Sequence, residues 1–449
     1  MADDQGMILA DLSKPERVLW HAFPRGVWVD LRSGDPGEDD PVNAHSWGAQ
    51  RTVRGEVVTA LLLGACELQP GRFPAVRLRG ARVVGRIDLM GAVISHALVL
   101  EYCWFEEALR FVETRTKTIR ITNGRLPAFN GARMRSEGIV NFHQSVIEST
   151  LRLDRAHIDG EITLRGAKVG DGVTEAIAGN GLIVEGDMEC NAGFTAYGRV
   201  ALRRARVAGL LTFRDAVLTD TRTAVDLARL EAGELCLRAA QPMTGALRLA
   251  QAHVGTLDDD PAVWPPEIWL NGFTYDTIRH LTGRVPVAER IDWVSRGPYG
   301  YQPQPYEQLA GYYRRAGHDD DVWHILLAKQ RHRRTTLSTP GRVVGRVLDA
   351  TVGYGYRPWL AAIWLALLLA VGTTVYAIDQ PHPLPGGPVP PFNSFTYTLD
   401  LLIPIGAFGL RTAYASTGSA QWLSYALIAA GWILATAVIA GVTHAIRRD

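Results

Sequence analysis

The sequence predicts a mainly β protein: a cytoplasmic β-solenoid with a helical cap and a helical hairpin, followed by two transmembrane α-helices. Three observations carry that expectation. Apolar residues recur with an eleven-residue spacing through the first half of the chain, two long uncharged runs stand near its end, and Lys and Arg are spread unevenly around those runs. The expected organisation is an N-terminal loop and helical cap over 1–70, the solenoid over 71–257, a connector with the hairpin over 258–340, and an interfacial helix with two spans over 341–449.

Within the repeat, an apolar residue is followed by apolar at +2, small at +5, apolar at +7 and in places Gly at +9. Val76, Leu78, Ala81, Val83 and Gly85 fit it; Ile87, Leu89, Ala92 and Ile94 repeat it eleven residues on, then Leu98, Leu100, Cys103 and Phe105. The pattern returns from Val140, Leu151, Ile162, Val200, Leu211 and Leu247. Period 2 gives short strands with one buried face, and units that bury it only by stacking on their neighbours form a solenoid. Two units make a coil of 22 residues with two strands, and the stretch holds about eight coils over about 40 Å at a 4.8 Å spacing. Interruptions at 114–135 and 170–196 predict loops or irregular coils. A sandwich would need neither a fixed period nor a small residue at one phase.

Solenoid ends must be covered. At the front, 54–65 has helical spacing, with Val57, Leu61 and Leu62 on one face, after a Gly-, Pro- and acid-rich loop at 34–43. Behind it, 305–316 opens with Pro at a first helical position and stops at Gly317, and Asp319, Asp320 and Asp321 favour the start of a second helix reaching about Arg334. This hairpin is expected to pack on the solenoid or on its own preceding segment. Successive aspartates on a helix point in different directions, so these three with His318 and His324 read as capping rather than as a metal site.

Residues 341–352 place Val343, Val344, Val347, Leu348 and Val352 on one face and Arg342, Arg346 and Asp349 away from it, as in a helix lying on a membrane surface. Lys329, Arg331, Arg333 and Arg334 add to a basic belt suited to anionic lipid head groups. Trp359–Ile378 is twenty residues without a charge, about 30 Å as a helix, and 422–446 is a second such run. Lys and Arg cluster before the first run, including Arg357, and after the second at Arg447 and Arg448, whereas the loop between holds only Arg411. Both termini are therefore expected in the cytoplasm of an inner-membrane protein. Ala437, Gly441 and Ala445 make a small-residue stripe that leaves homo-oligomerisation open. Between the runs, 395–409 is apolar, too short to span, and broken by Pro404; it is expected to lie on the outer surface. The alternative is a re-entrant segment, since Ile405, Gly406, Ala407, Phe408 and Gly409 echo a channel filter and Asp400 could line a pore.

The chemistry is sparse. A net charge of +1 argues against a nucleic-acid binder driven by a global field. The four cysteines, Cys66, Cys103, Cys190 and Cys236, form no CxxC pair and read as buried apolar side chains in a reduced compartment. The first twelve residues, with Asp3 and Asp4, are not expected to be a signal peptide. No catalytic, cofactor-binding or metal-binding residue is assigned. The stretches RTVRGEV, VRLRGARVVGRIDL, PYEQLAGYYRRAGHDDD and GYGYRPW resemble a family of bacterial membrane proteins with pentapeptide-like solenoids, sometimes labelled membrane-associated oxidoreductases. The resemblance covers most of the chain and transfers no catalytic residue; neither a GxGxxG between strand and helix nor a redox cysteine pair is present. The expected function is a binding or scaffold module at the membrane surface, with a protein partner on the solenoid face. An oligomeric two-helix channel and an oxidoreductase, the latter by label only, are the alternatives.

Overall fold

The computed structural model describes residues 11–279, 283–355, 358–384, 390–403 and 408–446; side-chain surroundings are described for these except 352, 355, 358 and 437–446. The chain forms two compact units, Met1–Tyr312 and Tyr313–Asp449.

The first unit is a parallel β-solenoid of about nine turns. Each coil has four short sides rather than the two strands expected. One coil runs through Arg135–Ser136, Val140–Asn141, Val146–Ile147 and Leu151–Arg152, and the next begins at His157–Ile158. Their register is parallel: Arg135 faces His157, Val140 faces Ile162, Val146 faces Lys168 and Leu151 faces Ile177. The eleven-residue period is thus half a coil, made of two sides joined by a loose corner and followed by one tight turn.

The tight turns explain the small residue at +5. Leu153 accepts a bond from the Ala156 amide at 3.1 Å, and Phe142 from Ser145 at 3.1 Å. In both, the residue before the closing one is left-handed, Arg155 at φ 55° and Gln144 at φ 52°. The closing side chain points into the core, where Ala156 and Ser145 are fully buried. The loose corners carry a column of glycines. A Cβ on Gly160 would lie 2.9 Å from the Gly138 carbonyl, because stacked backbones meet there with no room for a side chain.

The stretch 114–135, expected as an interruption, is a regular coil: Arg115–Thr116, Ile119–Thr122, Arg125–Leu126 and Phe129–Asn130 lie in the same ladders. Apolar periodicity misses it because Thr114, Thr116 and Ser136 occupy inward positions. Thr114 and Ser136 satisfy their hydroxyls on carbonyls, Thr114 on Leu89 at 2.7 Å and Ser136 on Lys117 at 2.8 Å. Within 170–196 the irregularity is confined to a loop near Asp171, whose carboxylate accepts the Val173 and Thr174 amides at 2.9 and 2.8 Å. Those amides hold the exposed Asp171 carboxyl down at about 2. The strands around it continue.

The ladders also extend beyond 71–257. Val29–Asp30 pairs with Leu78–Arg79 and Thr52–Arg54 with Arg82–Val84 at the front, while Ile268–Trp269 and Thr274–Arg279 continue the stack behind. The front is covered by α1 (Lys14–Ala22) and α2 (Gly55–Leu62), the latter burying Val57, Val58, Leu61 and Leu62 as the spacing predicts. Helix α1 was not expected, although its signal is present: Ser13 and Glu16 form a capping box with Pro15 between them. Burial alone would raise Glu16, but the Arg54 guanidinium, 2.9 Å away, and the Ser13 and Arg54 amides outweigh it and hold the carboxyl low. The 34–43 loop is ordered by the buried Asp39. It accepts the Ser33 and Gly34 amides at 2.9 Å each and Arg51 at 2.8 Å, and Arg51 in turn stacks on Trp47.

Behind the last coil lie α3 (Val287–Ser295), a helix the sequence reading missed, and α4 (Pro303–Arg315). Gln304, Gln308 and Tyr312 donate to the carbonyls of Phe273, Tyr275 and Ile278, so the first part of the hairpin does pack on the solenoid.

The second unit holds α5 (Asp319–Thr335), α6 (Thr339–Val352), α7 (Pro358–Ile378), α8 (Ser394–Leu402), the short α9 (Leu410–Ala413) and α10 (Ser419–Ile446). Helix α5 has the bounds predicted for the second arm of the hairpin. One stretch among the described residues, Trp359–Ile378, meets the length and apolarity needed to cross a membrane. Ile405 to Ala407, Pro404, Arg357, Arg447, Arg448 and the side chains of Ala437, Gly441 and Ala445 lie outside the described residues.

Candidate functional surfaces

With no catalytic constellation expected, the chain's surfaces are the candidates, and each follows from the elements above. On α6 the apolar face is bare: Val343, Val344 and Val347 are 53%, 58% and 53% exposed. The same holds along α7, where Trp359, Ile363 and Leu367 are exposed by half or more. Helices α6 and α7 touch through the Trp364 indole, which donates to the Ala350 carbonyl at 3.0 Å. Exposed apolar residues along two touching helices amount to more than a water-soluble surface normally carries.

The basic belt is divided by the fold. Asp349 accepts Arg331 at 3.0 Å from both Nε and Nη2, and Arg334 at 3.1 Å, fastening α6 to α5. Burial alone would raise Asp349, but the two guanidiniums hold its carboxyl below the usual range. Arg331 and Arg334 are thereby paired with a carboxylate of the same chain. Arg342 and Arg346 stand exposed beside the bare apolar face of α6.

Helix α8, part of the segment expected on the outer surface, is buried between α7 and α10. Its N-terminus is capped by Asn393, which accepts the Thr396 amide at 3.0 Å. A Cβ on Gly372 of α7 would lie 3.1 Å from Thr398 Oγ1, and one on Gly431 of α10 would lie 3.0 Å from Leu402 Cα. Both glycines stand inside the long apolar stretches, and their missing side chains make the room for α8. Tyr397, Leu401 and Leu402 join Tyr376 and Leu427 in one core, and the Tyr376 hydroxyl bonds Ser424 at 2.8 Å. Asp400, the pore-lining candidate, is fully buried, and its two oxygens accept the Phe408 and Arg411 amides at 3.0 and 2.9 Å. It closes the turn after α8.

The cysteines are all free and buried. Burial pushes the Cys103 thiol up to about 12 and raises Cys66, Cys190 and Cys236 as well, which keeps each a poor nucleophile and metal ligand. Among the described residues no group of three or more His, Cys, Asp and Glu side chains could hold a metal ion.

Two carboxylate clamps escaped sequence reading, both at the rear of the solenoid. Asp258 accepts Arg238 at 2.5 Å and Arg214 at 3.2 Å. Asp259 accepts a bidentate pair from Arg290 at 2.7 Å each and the Trp264 indole at 3.0 Å, and Arg290 lies between the rings of Trp264 and Trp293. The Asp258–Asp259–Asp260 run was a visible signal, but its partners come from coils and a helix that only stacking brings near. On the solenoid exterior, charged residues recur at fixed places: Glu137, Asp159 and Glu185 follow the first side of successive coils, with Lys117 in that place one coil earlier, and Arg133, Arg155, Arg204 and Arg229 share the turn before it with Glu113, Gly181 and Gln251. No protein family, curated protein or solved structure matches this chain.

Proposed function

We propose that this protein is a membrane-tethered β-solenoid that presents a rigid, regularly spaced face at the cytoplasmic surface of the inner membrane, as a binding or scaffold module. The observation that carries the reading is the bare apolar face of α6 and α7, with Arg342 and Arg346 at its edge. Lipid is the surrounding that suits it: acyl chains meet Val343, Val347 and Ile363 while anionic head groups meet the arginines. In this reading α7 and α10 are the two spans, and α8 dips between them as a re-entrant helix, since it meets both at residues well inside their apolar stretches. The distribution of Lys and Arg puts both termini inside.

The repeating coils give the scaffold its purpose. A parallel stack uses its backbone donors and acceptors internally, so recognition falls to side chains held at fixed spacing on a stiff rod. The channel alternative is disfavoured because Asp400, its acidic lining candidate, is spent on the Phe408 and Arg411 amides. Alkaline carbonate extraction of membranes, followed by cross-linking of the full chain in cells, tests the proposal. Retention in the membrane pellet with a reproducible cross-linked partner supports it; release into the soluble fraction would overturn the tether.

A further inference from the structure

The tight turn between the fourth and first sides repeats on successive coils, and its left-handed residues form a column: Glu113, Arg133, Arg155, Gly181, Arg204, Arg229 and Gln251. The backbone confirms the equivalence. The amide of Arg155 donates to the Asn180 carbonyl, Gly181 to Arg203 and Arg204 to Ala228, each one coil along. With the main chain occupied, these side chains project outward.

Along the column, neighbours one rung apart satisfy each other. Arg133 bonds Glu113 at 2.5 Å, and Arg229 bonds Gln251 at 2.7 Å. Gly181 breaks the sequence. It leaves a gap of two rungs, about 10 Å, between Arg155 and Arg204, and neither guanidinium has a protein partner among the described residues. The gap opens into a groove of about 430 Å³ lined by Arg155, Asn180, Gly181, Arg203, Arg204 and Arg229, with Ala228 beside them. No acidic residue lines it. Two carboxylates hold lining residues from behind: Asp154 accepts Asn180, and Asp226 pairs with Arg203 at 3.9 Å.

Arg203 is paired with Asp226, which leaves Arg155, Arg204 and Arg229 at the groove without a carboxylate partner among the described residues, and planar forks from successive rungs suit the tetrahedral oxygens of a phosphoryl group. We infer that this groove is a binding site for a small phosphorylated ligand carrying at least two negative charges, held between Arg155 and Arg204 in the slot left by Gly181. The inference does not depend on the scaffold reading. The same chemistry could be offered by a soluble phosphate ester or by a phospholipid head group.

The test is equilibrium binding of inorganic pyrophosphate and inorganic phosphate to the full chain in nanodiscs, at ionic strength matched with chloride. Pyrophosphate is expected to bind more tightly than phosphate, and Arg155→Gln and Arg204→Gln each to weaken it about tenfold, the effect of losing one charge-assisted contact. Gly181→Glu is expected to abolish binding without removing an arginine, because its carboxylate fills the gap. The turn tolerates that residue: Glu113 sits in the same conformation at φ 57°, and a Cβ on Gly181 meets only Arg155 Cγ at 3.6 Å. Equal affinity in zwitterionic and anionic nanodiscs supports a soluble ligand, and competition by the anionic discs supports a head group; both support the site. Pyrophosphate binding no better than chloride, or unchanged in the Arg155→Gln/Arg204→Gln double variant, would overturn it.

Discussion

Replacing Arg290 by methionine removes a charge from a dry ion pair in the solenoid unit, where Arg290 is 0% and Asp259 2% exposed. Methionine keeps an unbranched stem between the Trp264 and Trp293 rings, so the change is mainly electrostatic. Two bonds of 2.7 Å are lost. At about 1.5–3 kcal/mol for a hydrogen bond to a charged group, the loss is about 3–6 kcal/mol. Breaking a buried pair by removing one partner costs about 3–5 kcal/mol, because the remaining carboxylate stays buried with only the Trp264 indole to solvate it. An expected cost near 4 kcal/mol follows from both routes. Since coils of a solenoid open from the ends, the loss should be local. Hydrogen exchange of amides in Val287–Ser295 and Thr274–Arg279 should accelerate, with those around Val140 unaffected. The Arg290→Met/Asp259→Leu double variant should regain most of the protection, because an apolar replacement of the whole pair leaves no orphaned charge. A single variant costing under about 1 kcal/mol, or a double variant as labile as the single, would refute the reasoning.

The glycine column is equally exposed to test: Gly160→Ala places a methyl 2.9 Å from the Gly138 carbonyl and should cost about 1–3 kcal/mol in urea unfolding of the solenoid. For Asp349, the carboxyl is held low in the fold, so its stabilisation is present above the ordinary carboxylate range and lost as pH falls below about 4, through its lowered value. Exchange of the Thr339–Val352 amides, corrected for intrinsic rates, should therefore rise on acidification, and Asp349→Asn should show the faster exchange already at neutral pH. Asp400→Asn should loosen the turn at Phe408 and Arg411 by weakening two amide bonds, measured as faster labelling of a cysteine placed at Thr412, while α7 and α10 remain helical by circular dichroism.

Part of this architecture was legible because its cause is periodic. The alternation at Val140, Phe142 and Ile147, repeated at Ile162, Leu164 and Val169, can hide its apolar side chains only by stacking. What periodicity did not reveal was polar or non-local. The coil around Thr114 and Ser136 is invisible to an apolar count because a buried hydroxyl bonded to a carbonyl is as acceptable inside as an alanine. The number of sides was hidden as well: half a coil contains one tight turn and one loose corner, and the pattern marks the corner only in places, where Gly stands at +9.

The sequence alone determined the half-coil spacing, the capping helix at 55–62, the hairpin arm from Asp319, and the uncharged helix at 359–378, since each rests on residues near in the chain whose burial, capping or solvent preference is local. Only the tertiary structure decided which arginines remain free. Arg331 and Arg334 are taken by Asp349 and Arg290 by Asp259, while Arg155 and Arg204 line one groove on either side of Gly181 with no partner among the described residues. Charges pair over a few ångströms, and which groups come that close is set by how coils and helices stack, a distance that sequence separation does not contain.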